Sequence, residues 1–168
     1  MPVPISARLK YRRLTADDLV TFHALVVDDH VRRYLLDGLT MDLAWCREQV
    51  AASDDLFAER GVGLWLAYRE GETTPLGFCG FIRFGETGAE PQLLYALPVA
   101  HVGQGYATEM ARALVEYVRL HTWATEIISA VDEPNVASSR VLEKLGFQPM
   151  GVSAGAFGTM CLYQLPLR

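Results

Sequence analysis

The spacing of apolar residues changes period several times along the chain, and each change predicts an element. Arg8 to Leu14 alternates, with Leu9, Tyr11 and Arg13 on one side and Lys10 and Arg12 on the other, the period of a half-buried strand. Thr15 follows as a cap with Asp18 three residues on. Leu14 and Leu19 are spaced for a hydrophobic staple, so a helix is expected with Phe22, Leu25 and Val26 on its inner face. Asp28-Asp29-His30 breaks that pattern, His30 reading as a solvated turn residue, and Val31 to Leu36 suits a short second helix. Asp37-Gly38 is a turn signal, and Thr40 is placed to cap a third helix that runs to Glu59.

Gly63 to Tyr68 and Leu76 to Phe84 are apolar runs joined through Glu70-Gly71-Glu72, the pattern of an antiparallel hairpin. Gly85 to Pro91 reads as a loop and Gln92 to Leu97 as a third strand. Pro98 has no amide to donate and ends that strand's pairing. Beyond it, Ala107, Met110, Ala111, Leu114 and Val118 recur at helical spacing, with Thr108, Glu109, Arg112, Glu116 and Arg119 on the other face. Ile127 to Val131 is a buried strand. Asn135 then caps a helix with Val141, Leu142 and Leu145 inside and Gly146 at its end. Phe147 to Val152 and Thr159 to Leu167 supply the last strands. This order predicts one α/β or α+β layer domain spanning residues 1–168, a mixed sheet with helices on both faces.

Composition narrows the partners. A formal net charge of −5 and a pI near 5.3 argue against a nucleic-acid scaffold. They suit a cationic acceptor such as an amine, or merely aid solubility. No apolar run reaches membrane-spanning length, and Arg8, Lys10, Arg12 and Arg13 interrupt any signal-peptide core, so a cytoplasmic protein without a membrane partner is expected. Cys46, Cys79 and Cys161 are scattered without metal-ligand spacing and read as small buried hydrophobes; no metal is expected.

The segment between Leu97 and Tyr106 carries the candidate chemistry. Gly103 and Gly105 permit a tight turn, and the free amides and dipole of the following helix attract anions. Glycine spacing alone leaves two readings open, a pyrophosphate cradle and a plain strand-to-helix turn. It does exclude a triphosphate P-loop, since no Lys-Ser or Lys-Thr follows the second glycine. A dinucleotide enzyme is disfavoured as well, because Glu126 begins the next apolar run where an acidic residue should end it.

Val102-Gly-Gln-Gly-Tyr-Ala107 resembles the acyl-CoA loop of the GNAT N-acyltransferase superfamily, Arg/Gln-x-x-Gly-x-Gly/Ala, with Val102 departing from its first position. Asn135-Val-Ala-Ser138-Ser-Arg-Val-Leu-Glu-Lys-Leu-Gly-Phe147 resembles the second GNAT signature, in the form used by the ribosomal-protein alanine acetyltransferase (RimJ/RimL-like) branch. The likeness extends over nearly the whole chain, weakly before Leu76. It implies a GNAT-like mixed sheet and transfer of an acetyl group from acetyl-CoA to a primary amine, on a protein N-terminus or a small molecule, by direct attack in a ternary complex. It places the acyl-CoA at Leu97, Val102, Gly103, Gln104, Gly105, Tyr106, Ala107, Thr108, Asn135 and Ser138, the pantetheine arm entering the gap opened at Pro98.

Leu142 stands where much of the superfamily has an acidic tyrosine, and the branch's serine corresponds to Ser138. By the residues alone, Asn135 is also a helix cap and Ser138 a helix-start hydroxyl that bonds locally. The branch's glutamate base corresponds to Gln92, which cannot titrate; Glu90, Asp132, Glu133 and His101 stay open as bases and none is assigned. Tyr34, Asp37 and Trp45 fall in the segment that lines the acceptor pocket in the family, with packing or a turn as the alternative, and Tyr95 either borders the reacting centre or packs in the core. The missing tyrosine and base also allow a non-catalytic acyl-CoA-binding or sensor module. A homodimer is allowed, although nothing in the terminal strands requires it.

Overall fold

The alternating N-terminal stretch forms β1 (Leu9–Arg13) and a 3₁₀ turn (Ala16–Asp18) leads into α1 (Leu19–Val26). Then follow α2 (Asp29–Leu35), α3 (Leu43–Arg60), β2 (Leu64–Arg69), β3 (Gly77–Arg83), β4 (Pro91–Ala96), α4 (Tyr106–His121), β5 (Glu126–Asp132), α5 (Val136–Lys144), β6 (Gln148–Gly155) and β7 (Gly158–Pro166). These come from a computed structural model that describes residues 1–83, 91–155 and 158–168. The loop expected between Gly85 and Pro91 therefore lies outside the described residues up to Glu90, and Pro91 itself already opens β4.

The strands form one sheet in the order β1-β2-β3-β4-β5-β7-β6. Neighbours run antiparallel except β4 and β5, which are parallel. Alternation along the central strands sends successive side chains to opposite layers. Leu64, Leu66, Leu94 and Ala96 face a cluster with Phe22, Val26, Val31 and Val50 from α1, α2 and α3. Trp65, Ala67, Leu93 and Leu97 face a second cluster with Met110, Leu114, Val118 and Leu142 from α4 and α5. The mixed sheet covered on both faces is the architecture that the hydrophobic pattern predicts. Among the described residues no helix is long and apolar enough to cross a membrane.

Glycine is required where β3 passes the residues that open β2. Gly80 has φ +149°, and a Cβ there would collide with the Gly63 carbonyl oxygen. Gly80→Ala should lower stability by about 2–4 kcal/mol, read from the denaturant midpoint of chemical unfolding.

Three local expectations are corrected. The cap of α3 is Asp42, whose carboxylate accepts from the Trp45 amide at 2.8 Å, whereas Thr40 takes Arg32 Nη1 at 2.7 Å. His30 is not a solvated turn residue: Asp28 caps α2 ahead of it, accepting from the His30 and Val31 amides, and the ring is half-buried. Cys46 and Cys79 are buried as expected, but Cys161 on β7 is only half-buried.

The Thr15–Asp18 signal folds as read, with Arg12 added. Asp18 accepts from the Thr15 amide and hydroxyl at 2.9 and 3.0 Å and from both Arg12 Nη atoms at 2.6 and 3.0 Å. Burial pushes this carboxyl up, but the Arg12 and Thr15 bonds together outweigh it and hold it below the usual carboxylate value. A depressed folded-state value stabilises the protein above the unfolded value, and that stability is lost as pH falls through the folded one. Asp18→Asn should therefore lower Tm at neutral pH, and the gap from the parent protein should close in acid below about pH 4.

The parallel pair creates the opening that matters for function. β4 and β5 are in register only at Gln92 and Ile128. Beyond that point β4 stays with β3 as far as Ala96, while β5 stays with β7 as far as Asp132, opposite Met160. Pro98 brings no amide to close the gap, and a 3₁₀ turn, Val99–His101, leads the chain away.

Candidate functional site

Into this wedge opens a cavity of about 580 Å³. Its walls come from α2 (His30, Tyr34), Asp37, β4 (Gln92, Tyr95, Leu97), the turn Val102–Gly105, the first residues of α4, β5 (Ser129, Asp132) and α5 (Asn135, Ser138, Lys144). The open edge of β4 presents backbone groups. The Leu93 carbonyl accepts the Ser129 hydroxyl at 3.0 Å across the gap. Strand alternation puts the N–H and C=O of Tyr95 on that same edge, where β5 has already diverged. The Leu97 carbonyl is engaged by His30 Nδ1 at 3.0 Å. A carbonyl can only accept, so Nδ1 carries a hydrogen, and Nε2 is the nitrogen turned away from that bond.

At the mouth, Gly103 and Gly105 adopt φ +74° and +81°, and Gly105 caps α4. The first intrahelical bond runs from the Glu109 amide to the Gly105 carbonyl, so the amides of Tyr106, Ala107 and Thr108 have no partner within the helix, and they and the dipole of a helix of 16 residues face outward. A Cβ at Gly103 would meet nothing within 4 Å, and one at Gly105 only Arg8 Nη2 at 3.3 Å. The turn is thus bare backbone around open space, which suits a phosphate-bearing ligand of the acyl-CoA kind.

Arg8 anchors the turn from behind. Its guanidinium lies over the Tyr106 ring at 4.4 Å, donates to the Gln104 carbonyl at 3.0 Å and ion-pairs with Glu109 at 2.6 Å. Sequence reasoning missed this contact, because Arg8 reads only as the start of a strand. Burial alone would raise the Glu109 carboxyl, but the bonds from Arg8 and Ser6 hold it below its ordinary value. Gln104 holds its place in the turn, its Nε2 donating to the Ala100 carbonyl at 3.3 Å, but it is not among the residues lining the cavity.

Deeper in, Asn135 caps α5, its Oδ1 accepting the Ser138 amide at 3.2 Å. The Ser138 hydroxyl shares a 2.7 Å hydrogen bond with the Tyr95 hydroxyl, and the phenol also lies 3.3 Å from the Ser138 carbonyl oxygen. These bonds join β4 to α5 across the wedge. Burial pushes the Tyr95 phenol up to about 12, although the bond to Ser138 lowers it. Leu142 is fully buried in the core.

The remaining candidates separate. Tyr34 lines the cavity and meets His30 edge to face, the ring centroids 5.1 Å apart. Asp37 lines it too, at φ 56°, the one non-glycine residue with positive φ among the described residues. Asp132 ends β5 inside the cavity, and burial, then the charge of Asp37, raises its carboxyl. Trp45 is not among the lining residues and stacks on Phe22 at 6.3 Å. Gln92 lines the cavity, whereas Glu133 and His101 do not, and Glu90 lies outside the described residues. His30 was detectable in principle: it stands four residues before Tyr34, on one face of one helix.

The chain is similar to known proteins in sequence and in fold. The family model described as an acetyltransferase (GNAT) domain matches residues 8–148. The uncharacterized N-acetyltransferase p20 of Bacillus licheniformis is 23% identical over 145 residues, covering 86% of this chain and 82% of its own. Among solved structures, RimL, a ribosomal L7/L12 alpha-N-protein acetyltransferase in complex with coenzyme A, superposes with a TM-score of 0.81 at 18% identity, over 98% of this chain and 97% of that one. The aminoglycoside acetyltransferase AAC(6')-Ib, in complex with paromomycin and acetyl-CoA, superposes with a TM-score of 0.78 at 22% identity, over 95% of this chain and 94% of its own.

Proposed function

The chain belongs to the GNAT acetyltransferase family, and from that membership we propose that it transfers an acetyl group from acetyl-CoA to a primary amine within a ternary complex. The observation that carries the reading is the wedge between β4 and β5, bare glycine turn at its mouth and Tyr95–Ser138 pair within. The form Asn135-Val-Ala-Ser138 favours the RimJ/RimL-like branch. The acceptor is an amine on a protein N-terminus or a small molecule, the two kinds that the structural neighbours RimL and AAC(6')-Ib take.

Acetyl-CoA supplies the acetyl group as a thioester, whose C–S bond breaks with its electron pair on sulfur as the C–N bond forms and the amine gives up a proton. The amides of Gly103 to Thr108 hold the phosphates, with Arg8 fixing the turn from behind. The open backbone edge at Tyr95 and Leu97 aligns the pantetheine and offers an amide to the thioester carbonyl. Asn135 holds the first turn of α5, which places the Ser138 hydroxyl as hydrogen-bond donor to the departing sulfur.

Three groups lining the cavity can take the amine proton, His30 Nε2 and the carboxylates of Asp132 and Asp37. If Asp132 serves, kcat/KM should fall on the acid side at a pH above the ordinary carboxylate range, because its carboxyl is raised by burial and by Asp37. Asp132→Asn should then abolish that limb, whereas loss of turnover in His30→Gln with Asp132→Asn still active would make the ring the base.

Titration calorimetry with acetyl-CoA, CoA, NAD and ATP, followed by thiol release across an amine panel, tests the reading. Selective binding of the CoA species with turnover supports it, and no CoA binding overturns it. Leu142 and Gln92, which replace a tyrosine and a glutamate, favour a second reading, an acyl-CoA sensor. CoA binding without turnover on any amine is the result that would favour it.

A further inference from the structure

The hydroxyl pair between β4 and α5 carries an inference beyond binding, one that rests on the acetyltransferase reading. We infer that Tyr95 is a positioning residue that acts through Ser138, donating its phenolic hydrogen to Ser138 Oγ and so turning the serine hydrogen into the cavity, towards the thioester sulfur of bound acetyl-CoA.

The direction of the bond follows from the chemistry of its partners. A phenol is a stronger acid than an aliphatic alcohol, and so a better donor and a poorer acceptor. The other acceptor near the Tyr95 hydroxyl is the Ser138 carbonyl, at 3.3 Å against 2.7 Å for Ser138 Oγ, so the shorter bond takes the hydrogen. Burial keeps this phenol protonated across the working range, and a protonated phenol can donate throughout. The Ser138 amide is already committed to Asn135 Oδ1, which fixes the residue's backbone. With its oxygen accepting from Tyr95, the serine has its own hydrogen left to give, and both residues line the cavity.

The arrangement fits what the step needs. As the C–S bond breaks, negative charge grows on sulfur, and a donor already pointing there stabilises it without reorganising. Tyr95 stays a neutral phenol throughout. The proton that balances the thiolate is the one shed by the amine, so Tyr95 and Ser138 lose none. Leu142 is buried in the core, and Tyr95 brings a phenol to the wedge from the opposite wall.

Tyr95→Phe keeps the ring and removes the hydroxyl, so the packing against the sheet survives. Together with Ser138→Ala and the double variant, it should be compared in two measurements. The first is steady-state turnover: kcat should fall about tenfold in Tyr95→Phe with acceptor KM unchanged, the loss expected for one weakened charge-bearing hydrogen bond. The second needs no turnover: the thiol of bound CoA, titrated by thiolate absorbance, should have its pKa raised by about one unit in Tyr95→Phe relative to the parent protein. Both effects should vanish when Ser138 is already alanine.

An unchanged thiol pKa and kcat in Tyr95→Phe, with only Tm lowered, would mean a structural tyrosine and would overturn the inference. So would the same tenfold loss in the Ser138→Ala background, since Tyr95 would then act independently of the serine. A parent protein that binds no CoA overturns the acetyltransferase reading itself, and the inference with it. Binding and turnover that Tyr95→Phe leaves untouched overturn the role of Tyr95 alone.

Discussion

Gly105→Glu should weaken CoA binding by about a hundredfold or more while the fold persists. Two effects act together. Gly105 sits at φ +81°, where any side chain costs about 1–2 kcal/mol, so the variant strains the turn. The added carboxylate also stands where the proposed CoA phosphates would sit, and two like charges about 4 Å apart repel by about 4 kcal/mol in a surface-like dielectric. Arg8 Nη2 lies 3.3 Å from where the new Cβ would be, so the carboxylate can draw Arg8 from Glu109 and the Gln104 carbonyl. That rearrangement loosens the turn and weakens binding further. Gly105→Ala isolates the strain, and its smaller loss should be subtracted. Calorimetry with CoA and with a phosphate-free pantetheine thioester decides the matter: the loss should be confined to CoA. Equal losses for both ligands would remove the phosphates from this turn.

Ser138→Ala should lower kcat by about a hundredfold and leave the affinity for CoA nearly unchanged. The substitution keeps the backbone amide that Asn135 caps, so α5 should still start where it does. What it removes is the hydroxyl that faces Tyr95 across the wedge. Single-turnover kinetics at saturating acetyl-CoA separates the chemical step from binding, and unchanged single-turnover rates would reduce Ser138 to a helix-start residue.

The elements were legible in the sequence because each depends on residues within a turn or two of one another. The alternation from Leu9 to Arg13, the heptad-like inner face of Met110, Leu114 and Val118, the Asn135 cap and the Gly146 stop are all local patterns, and they form as read. The glycine turn was legible for the same reason, since a strand, two glycines and a helix start already imply outward-facing amides. Where local reading slipped, two residues competed for one job at short range. Thr40 and Asp42 are both sound caps, and the bond from Arg32 to Thr40 leaves Asp42 as the cap.

The site belongs to a different level. Arg8 meets Glu109 across 101 residues, His30 meets Leu97 across 67, and Tyr95 meets Ser138 across 43. Trp45, whose segment left both a pocket wall and packing open, stacks on Phe22, while His30, one helix earlier, lines the cavity. Hydrophobic period tells which face of an element is inward, and it told that correctly here; it does not tell which other element lies opposite. That is decided by strand order, by β4 and β5 holding register at a single pair before they part, and by the helices that the two resulting layers then bring to the gap. The sequence by itself determined the sheet, its covering helices and the bare turn. Only the tertiary structure decided that a phenol, a serine hydroxyl and a histidine share one cavity, because hydrogen bonds between distant residues follow from packing and not from spacing.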